Sequence, residues 1–178
     1  EEWSADTKRR FEAWARSADC DAARELDFYG LQELVFRSFL ESGDCAVLTP
    51  RIARAGRAAR LALQVIEADR ICNPSRAQDS ATLIDGIEIV PATGEKIAIH
   101  VARQHPGAAP AQPNTWDRVA VRGSATGRRN VLHIFKPLRP GQVRGVPWIA
   151  PILEPLKQLG RWSDAELNAA VVSGLMAT

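Results

Sequence analysis

A chain of 178 residues is long enough to bury a core of its own, as one domain or one large piece of a longer protein. Its 46% hydrophobic and 25% charged residues exclude wholesale disorder, and a formal net charge of +2 is too small for a grip on many phosphates. No apolar run approaches the ~20 residues of a membrane span and no signal peptide is visible, so no membrane partner is expected.

Ser4 to Ala18 places Phe11, Trp14 and Ala18 at helix spacing. A second helix is expected after Asp27, a good N-cap, with Leu31, Leu34, Val35 and Phe39 as its apolar stripe and Gly43 as its stop. Cys45 to Thr49 and Leu61 to Ile66 read as two strands joined by an arginine-rich loop. Ile87 to Val101 is the clearest hairpin, with alternating Ile87 and Ile89, a turn at Pro91 to Gly94, and alternating Ile97, Ile99 and Val101. The proline-rich stretch Arg103 to Thr115 is expected to be an exposed, mobile loop. Trp116, Val119 and Val121 suggest another strand, and a glycine- and arginine-rich turn leads to the strand Val131 to Phe135.

Two helices are expected to close the chain. The first starts near Pro147 with Ile149, Ile152, Leu153, Leu156 and Leu159 on one face, and Pro155 should bend or weaken it. The second starts at a capping box, Ser163 to Glu166, with Trp162 and Leu167 as its hydrophobic staple. The order predicts an α+β fold, with helices in 1–44, a β-rich middle in 45–135, and a rigid connection followed by helices in 136–178. A start at Glu1 without methionine and an end at Thr178 inside a helical pattern suggest an excised piece.

No catalytic set stands out, so neither an enzyme nor a cofactor is expected. His100, His105 and His133 lack HxH, HxxxH or HExxH spacing, which favours structural or surface histidines over a metal hydrolase. Cys20, Cys45 and Cys72 are odd in number and widely spaced, as reduced thiols would be. Gly123 to Gly127 lacks the lysine and helix of a phosphate loop. Arg51, Arg54, Arg57 and Arg60 recur every third residue between two strands, which predicts an exposed basic loop. Such a loop is either simply solvated or a docking surface for carboxylates or phosphates. A free-standing nucleic-acid-binding module using this loop is the alternative reading.

The most specific segment is Val131 to Ala150. An apolar strand carrying a histidine runs into RPGQVRGVPW, in which Pro140, Gly141 and Gly145 demand a particular backbone path. Arg139, Gln142 and Arg144 supply polar groups, with Arg139 and Arg144 able to tie the turn, and Pro147 and Trp148 open the helix. This reads as a rigid strand-to-helix connection.

The segment resembles the lambda-type family of tailed-phage portal proteins, whose members carry a VLHIF-like strand, RPGQxRGxPW, and an apolar helix leading to D-A-E-L, here Asp164 to Leu167. Phe11, Trp14, Cys20-Asp21, Ser42-Gly43-Asp44, Leu63 to Asp69 and Asp85 to Glu88 agree in order. The resemblance covers nearly all of this chain but only the middle of a typical member. It implies a subunit of a twelvefold ring at one capsid vertex of the virion, assembled in the bacterial host cytoplasm, through which double-stranded DNA passes without sequence specificity. It also implies the terminase large subunit and a head-completion connector protein as partners. Portal topology further implies that the Asp27 to Ser42 helix and the helix after Pro147 form a stem pair, with Cys45 to about Phe135 as the β-rich clip.

Overall fold

Aromatic packing and one capped turn set the first layer. Helix α1 (Glu2–Ala15) presents Phe11 and Trp14 to Phe28 at the start of α2 (Phe28–Ser42), with ring centroids 5.9 and 5.7 Å apart. The Asp27 carboxylate accepts from Gly30 N–H at 2.8 Å, satisfying one of the free donors at the start of α2. Gly43 ends the helix at φ +86°, donating its N–H to the Phe39 carbonyl. The computed structural model describes residues 2–57, 59–107 and 114–176.

Two antiparallel sheets follow. In the first, β1 (Asp44–Leu48) is central, flanked by β2 (Gln64–Glu67) and β7 (Val131–Phe135). The second runs β3 (Leu83–Ile84), β4 (Ile87–Ile89), β5 (Lys96–Ala102) and β6 (Trp116–Ala120) in sequence order. Strand alternation splits the first sheet. Ala46, Ile66 and Val131 join Ile71, Ile87, Ile89, Ile99 and Val101 in the buried core, each fully buried isoleucine contributing about 2–3 kcal/mol. The opposite face lies beside α2, as the contact of the Cys45 thiol with the Val35 carbonyl shows. Flanking helices and a β-sheet middle make this a mixed α+β fold.

The stretch between β1 and β2 is an extended arm rather than an open loop. Arg51 pairs with Leu61, and Ile52 N–H donates to the Arg60 carbonyl at 2.7 Å. Of the proline-rich stretch, 103–107 are exposed, while 108–113 lie outside the described residues.

The chain divides into two compact units, Glu1–Pro147 and Trp148–Thr178. The second contains one helix, α3 (Ala150–Met176), where the sequence pattern predicts two. Ser163 sits mid-helix and starts nothing, because Gly160 does not take the left-handed backbone that would end a preceding helix. Pro155 falls early in α3, where its missing N–H leaves only a first-turn carbonyl without its usual partner.

Two glycines make a close backbone approach in the first unit. A Cβ on Gly145 would overlap the Gly43 carbonyl, and one on Gly43 would overlap the Val146–Pro147 backbone. Gly145→Ala is therefore expected to lower stability by about 3 kcal/mol in urea titration. Gly127→Ala, at φ +63° with nothing near its would-be Cβ, should cost only ~1 kcal/mol.

Candidate functional site

The register of the first sheet brings charge into the core. Asp44 faces Phe135 and Ala46 faces His133 across β1 and β7, so Asp44, His133 and Phe135 share the core-facing side. Asp44, with only 1% of its side chain exposed, requires full pairing there. Its Oδ2 accepts from Arg144 Nε at 2.6 Å, His133 Nε2 at 3.0 Å and Gly145 N–H at 3.0 Å, and its Oδ1 accepts from Arg144 Nη2 at 3.0 Å.

Arg144 spends its remaining donors on backbone. Nη2 reaches the Ala68 carbonyl at 2.9 Å, and Nη1 reaches Ile71 and Asp85 carbonyls at 2.7 and 3.0 Å. One guanidinium thus ties the turn after β7 to β1, to the segment following β2, and to the loop before β4. Gln142 closes the turn on itself, accepting from Leu138 N–H and donating to the Arg144 carbonyl, both at 2.7 Å. Gly141 adopts φ +75°.

A second cation completes the cluster. Lys96, on β5, donates to the Val143 carbonyl at 2.8 Å, meets His133 Nδ1 at 2.8 Å, and lies 3.8 Å from the Phe135 ring centroid. The partners fix the histidine tautomer. Asp44 only accepts, so Nε2 carries the proton, and the ammonium only donates, so Nδ1 accepts. Burial alone would push the Asp44 carboxyl up, but hydrogen bonds from His133 and Arg144, the Arg144 charge and the Gly145 amide hold it well below the usual carboxylate range. Burial, together with the Arg144 charge, brings Lys96 down to about 8 against the pull of Asp44. Burial also lowers His133 from its ordinary value, with Lys96 and Arg144 adding to the shift and Asp44 opposing it.

The other sequence-selected residues are placed differently. Arg54 is not exposed: its side chain is 9% accessible and donates to the carbonyls of Asp19, Asp21 and Ala22. Arg57 pairs with the Asp19 carboxylate at 2.6 Å, while Arg51 and Arg60 are exposed along the arm. Burial raises the Asp19 carboxyl less than Arg57, Ser17, Arg24 and Arg54 lower it. Arg139 and Pro140 are exposed at the tip of the turn, Pro147 backs onto Gly43, and Trp148 is half exposed before α3. The three histidines are dispersed, with His100 on Glu88 at 2.7 Å and His105 near Glu67 and Asp69. Gly123 to Gly127 closes a tight hairpin, Gly127 N–H donating to the Gly123 carbonyl at 2.8 Å.

An apolar groove of about 480 Å³ opens between the helices and the outer face of the first sheet, walled by Trp14, Phe28, Val35, Phe36, Leu132 and Ile134. On α3, Ile152, Leu153, Leu156, Leu159, Leu167 and Val171 fall within one arc, opposite Glu154, Arg161 and Asn168, and no described residue of the helix is buried. No helix among the described residues is long and apolar enough to cross a membrane.

The first unit thus carries a buried ionic strut and an open apolar groove, and α3 by itself exposes an apolar arc. The family model for the phage portal protein, lambda family, matches residues 1–178, and the chain belongs to that family. It is 28% identical to portal protein B of Escherichia phage lambda over 124 residues, 69% of this chain and 22% of that protein. It is 22% identical to the portal protein of Escherichia phage N15 over 178 residues, 98% of this chain and 33% of that protein. The chain therefore spans between a fifth and a third of the length of these relatives.

The sequence pattern singled out Arg144 but not its partner. A carboxylate opening an otherwise apolar strand, Asp44 before Cys45 to Leu48, was the available signal. Asp44→Asn should cost about 3–5 kcal/mol, because it leaves Arg144 buried beside a neutral amide. Arg144→Lys should lose a comparable amount, since three ammonium donors replace five in use. Chemical denaturation of the two variants measures both losses.

Proposed function

We propose that this chain is the central part of a portal subunit, which forms a ring at one capsid vertex through which double-stranded DNA is packaged and ejected. The observation that carries the reading is the lambda-family portal match along the chain. The physical features support it. A closed ring joins subunits head to tail, so each must present two different faces. The apolar groove of the first unit and the apolar arc of α3 are two such unlike surfaces. Trp162 and Val172 lie outside that arc and are also exposed, which suits a helix with neighbours on more than one side. A net charge of +2 suits a conduit that must release DNA as it moves, since every neutralised phosphate adds affinity that translocation must break.

In this reading α2 and α3 form a stem pair, and the β-rich segment between them forms the clip. Arg51, Arg57 and Arg60, on or beside the exposed arm, are the contact to the terminase large subunit or to the head-completion protein. Arg54 serves the fold of the arm instead. The ring stands in the virion at the portal vertex and assembles in the host cytoplasm.

Electron microscopy of the full-length protein should show rings, twelvefold in the capsid, with a central hole; a full-length chain that stays strictly monomeric overturns the proposal. Within such rings, the triple substitution R51A/R57A/R60A should leave assembly intact and weaken terminase or connector binding at least tenfold, by ~1.4 kcal/mol or more. Arg54→Ala should instead lower thermal stability, because three backbone carbonyls lose their donor.

A further inference from the structure

The Lys96–His133–Asp44–Arg144 cluster holds a chemical conflict that a single proton would expose. In its present state the neutral imidazole bridges a carboxylate and an ammonium: Nε2–H donates to Asp44, and Nδ1 accepts from Lys96 at 2.8 Å. The groups around the ring are already unbalanced. Asp44 faces it from β1, Lys96 from β5 and Arg144 from the turn, so one carboxylate meets two cations. Asp85 stands 3.5 Å from Arg144 but is exposed, and Cys72 lies near Arg144 on the segment following β2. The ring itself stacks on Phe135 with centroids 4.7 Å apart, and only 6% of the His133 side chain is exposed.

The sole ring position open to another proton is Nδ1, which points at the Lys96 ammonium. We propose that this cluster is a proton-operated latch: protonation of His133 Nδ1 sets two donors and two positive charges against each other, drives Lys96 away, and releases the turn Leu138–Val146. Lys96 cannot leave without consequence. It supplies the donor to the Val143 carbonyl, inside the turn and next to Arg144, and it caps the Phe135 ring. Its departure removes the tie between β5 and the turn that leads into α3. Asp44 stays ionised across the range in which this happens, because its carboxyl is held well below the usual value.

The sign follows from linkage. His133 titrates below its ordinary value in the fold, so the folded joint binds fewer protons than the opened one. Joint stability from this group is therefore present above about pH 6.5 and declines as pH falls towards the folded value. Opening coupled to uptake of one proton grows about tenfold for each unit of pH in that window.

Hydrogen exchange on the 178-residue chain tests this, with side-chain nitrogen NMR following His133 over about pH 7.5 to about pH 5. After correction for intrinsic exchange, the hydrogen-bonded amides of Gln142 and Gly145 should open about tenfold faster per pH unit below about pH 6.5, down to the midpoint at which His133 takes its proton. The β4–β5 hairpin, including the His100 amide bonded to the Gly86 carbonyl, should stay protected. His133→Gln keeps a donor for Asp44 and an acceptor for Lys96 but cannot titrate, and should abolish the acceleration. Acceleration that persists in H133Q overturns the latch. So does His133 titration without faster exchange in the turn, or equal acceleration in the hairpin. If H133Q does not fold, agreement or disagreement between the two effects in the unsubstituted chain decides. None of these readouts depends on ring assembly.

Discussion

A carboxylate with 1% of its side chain exposed has no neutral position: it is either matched by donors or expels itself from the fold. Asp44 is matched by Arg144, a hundred residues away, and the rest of the first unit is arranged so that the match is possible. The guanidinium is held in turn by three carbonyls from two separate segments, so its planar fork cannot rotate without breaking bonds on both sides. Local backbone geometry, long-range strand pairing and electrostatics therefore converge on one side chain. A buried pair of this kind adds less net stability than its short distances suggest, but removing one partner is severe. Its effect is specificity: alternative registers of β1 and β7 would strand a charge in the core.

The glycine contact explains how the strut reaches its target. Gly43 must end α2 in a left-handed conformation and leave room for the turn, and Gly145 must have no side chain for the turn to enter. Their backbone approach puts the Gly145 N–H on Asp44 Oδ2, so the same contact that docks the turn also contributes to charge pairing. Gln142 holds the loop closed across the exposed Pro140-Gly141 tip, which lets Val143 and Arg144 enter as a preshaped unit. A strand, a helix terminus and a turn thereby share one fixed point.

Much of this is legible in the sequence itself, for physical reasons that differ by element. Asp27 and Gly43 bound α2 through local hydrogen bonding, so their residue types suffice to place the ends. The β4–β5 hairpin shows in its alternation, although not its bulge between Glu88 and Ile89. What stayed hidden is non-local. Nothing near Asp44 reveals that β7 will return beside β1, and nothing near Lys96 reveals His133 opposite it. The basic periodicity of Arg51, Arg54, Arg57 and Arg60 was visible, but only the fold shows that Arg54 turns inward to three carbonyls. The capping box at Ser163 misled because a cap signature starts a helix only where the preceding chain is free to leave one.

The division of labour between the two units follows from where each places its apolar surface. The first unit pairs its buried Asp44 internally, and its core lies between the two sheets. Its remaining apolar wall, the groove beside α2, is left open. In α3 the described residues reverse this balance: a helix of 27 residues buries none of them, and intrinsic helix propensity alone rarely sustains such a segment with two prolines in its first turns. Burial among its own described residues is therefore not what stabilises this helix. The turn that introduces α3 is, by contrast, tied into the first unit by the five hydrogen bonds of Arg144 and by the Gly145 amide. The chain therefore fixes its geometry through polar contacts before α3 and leaves apolar side chains uncovered along α3 itself.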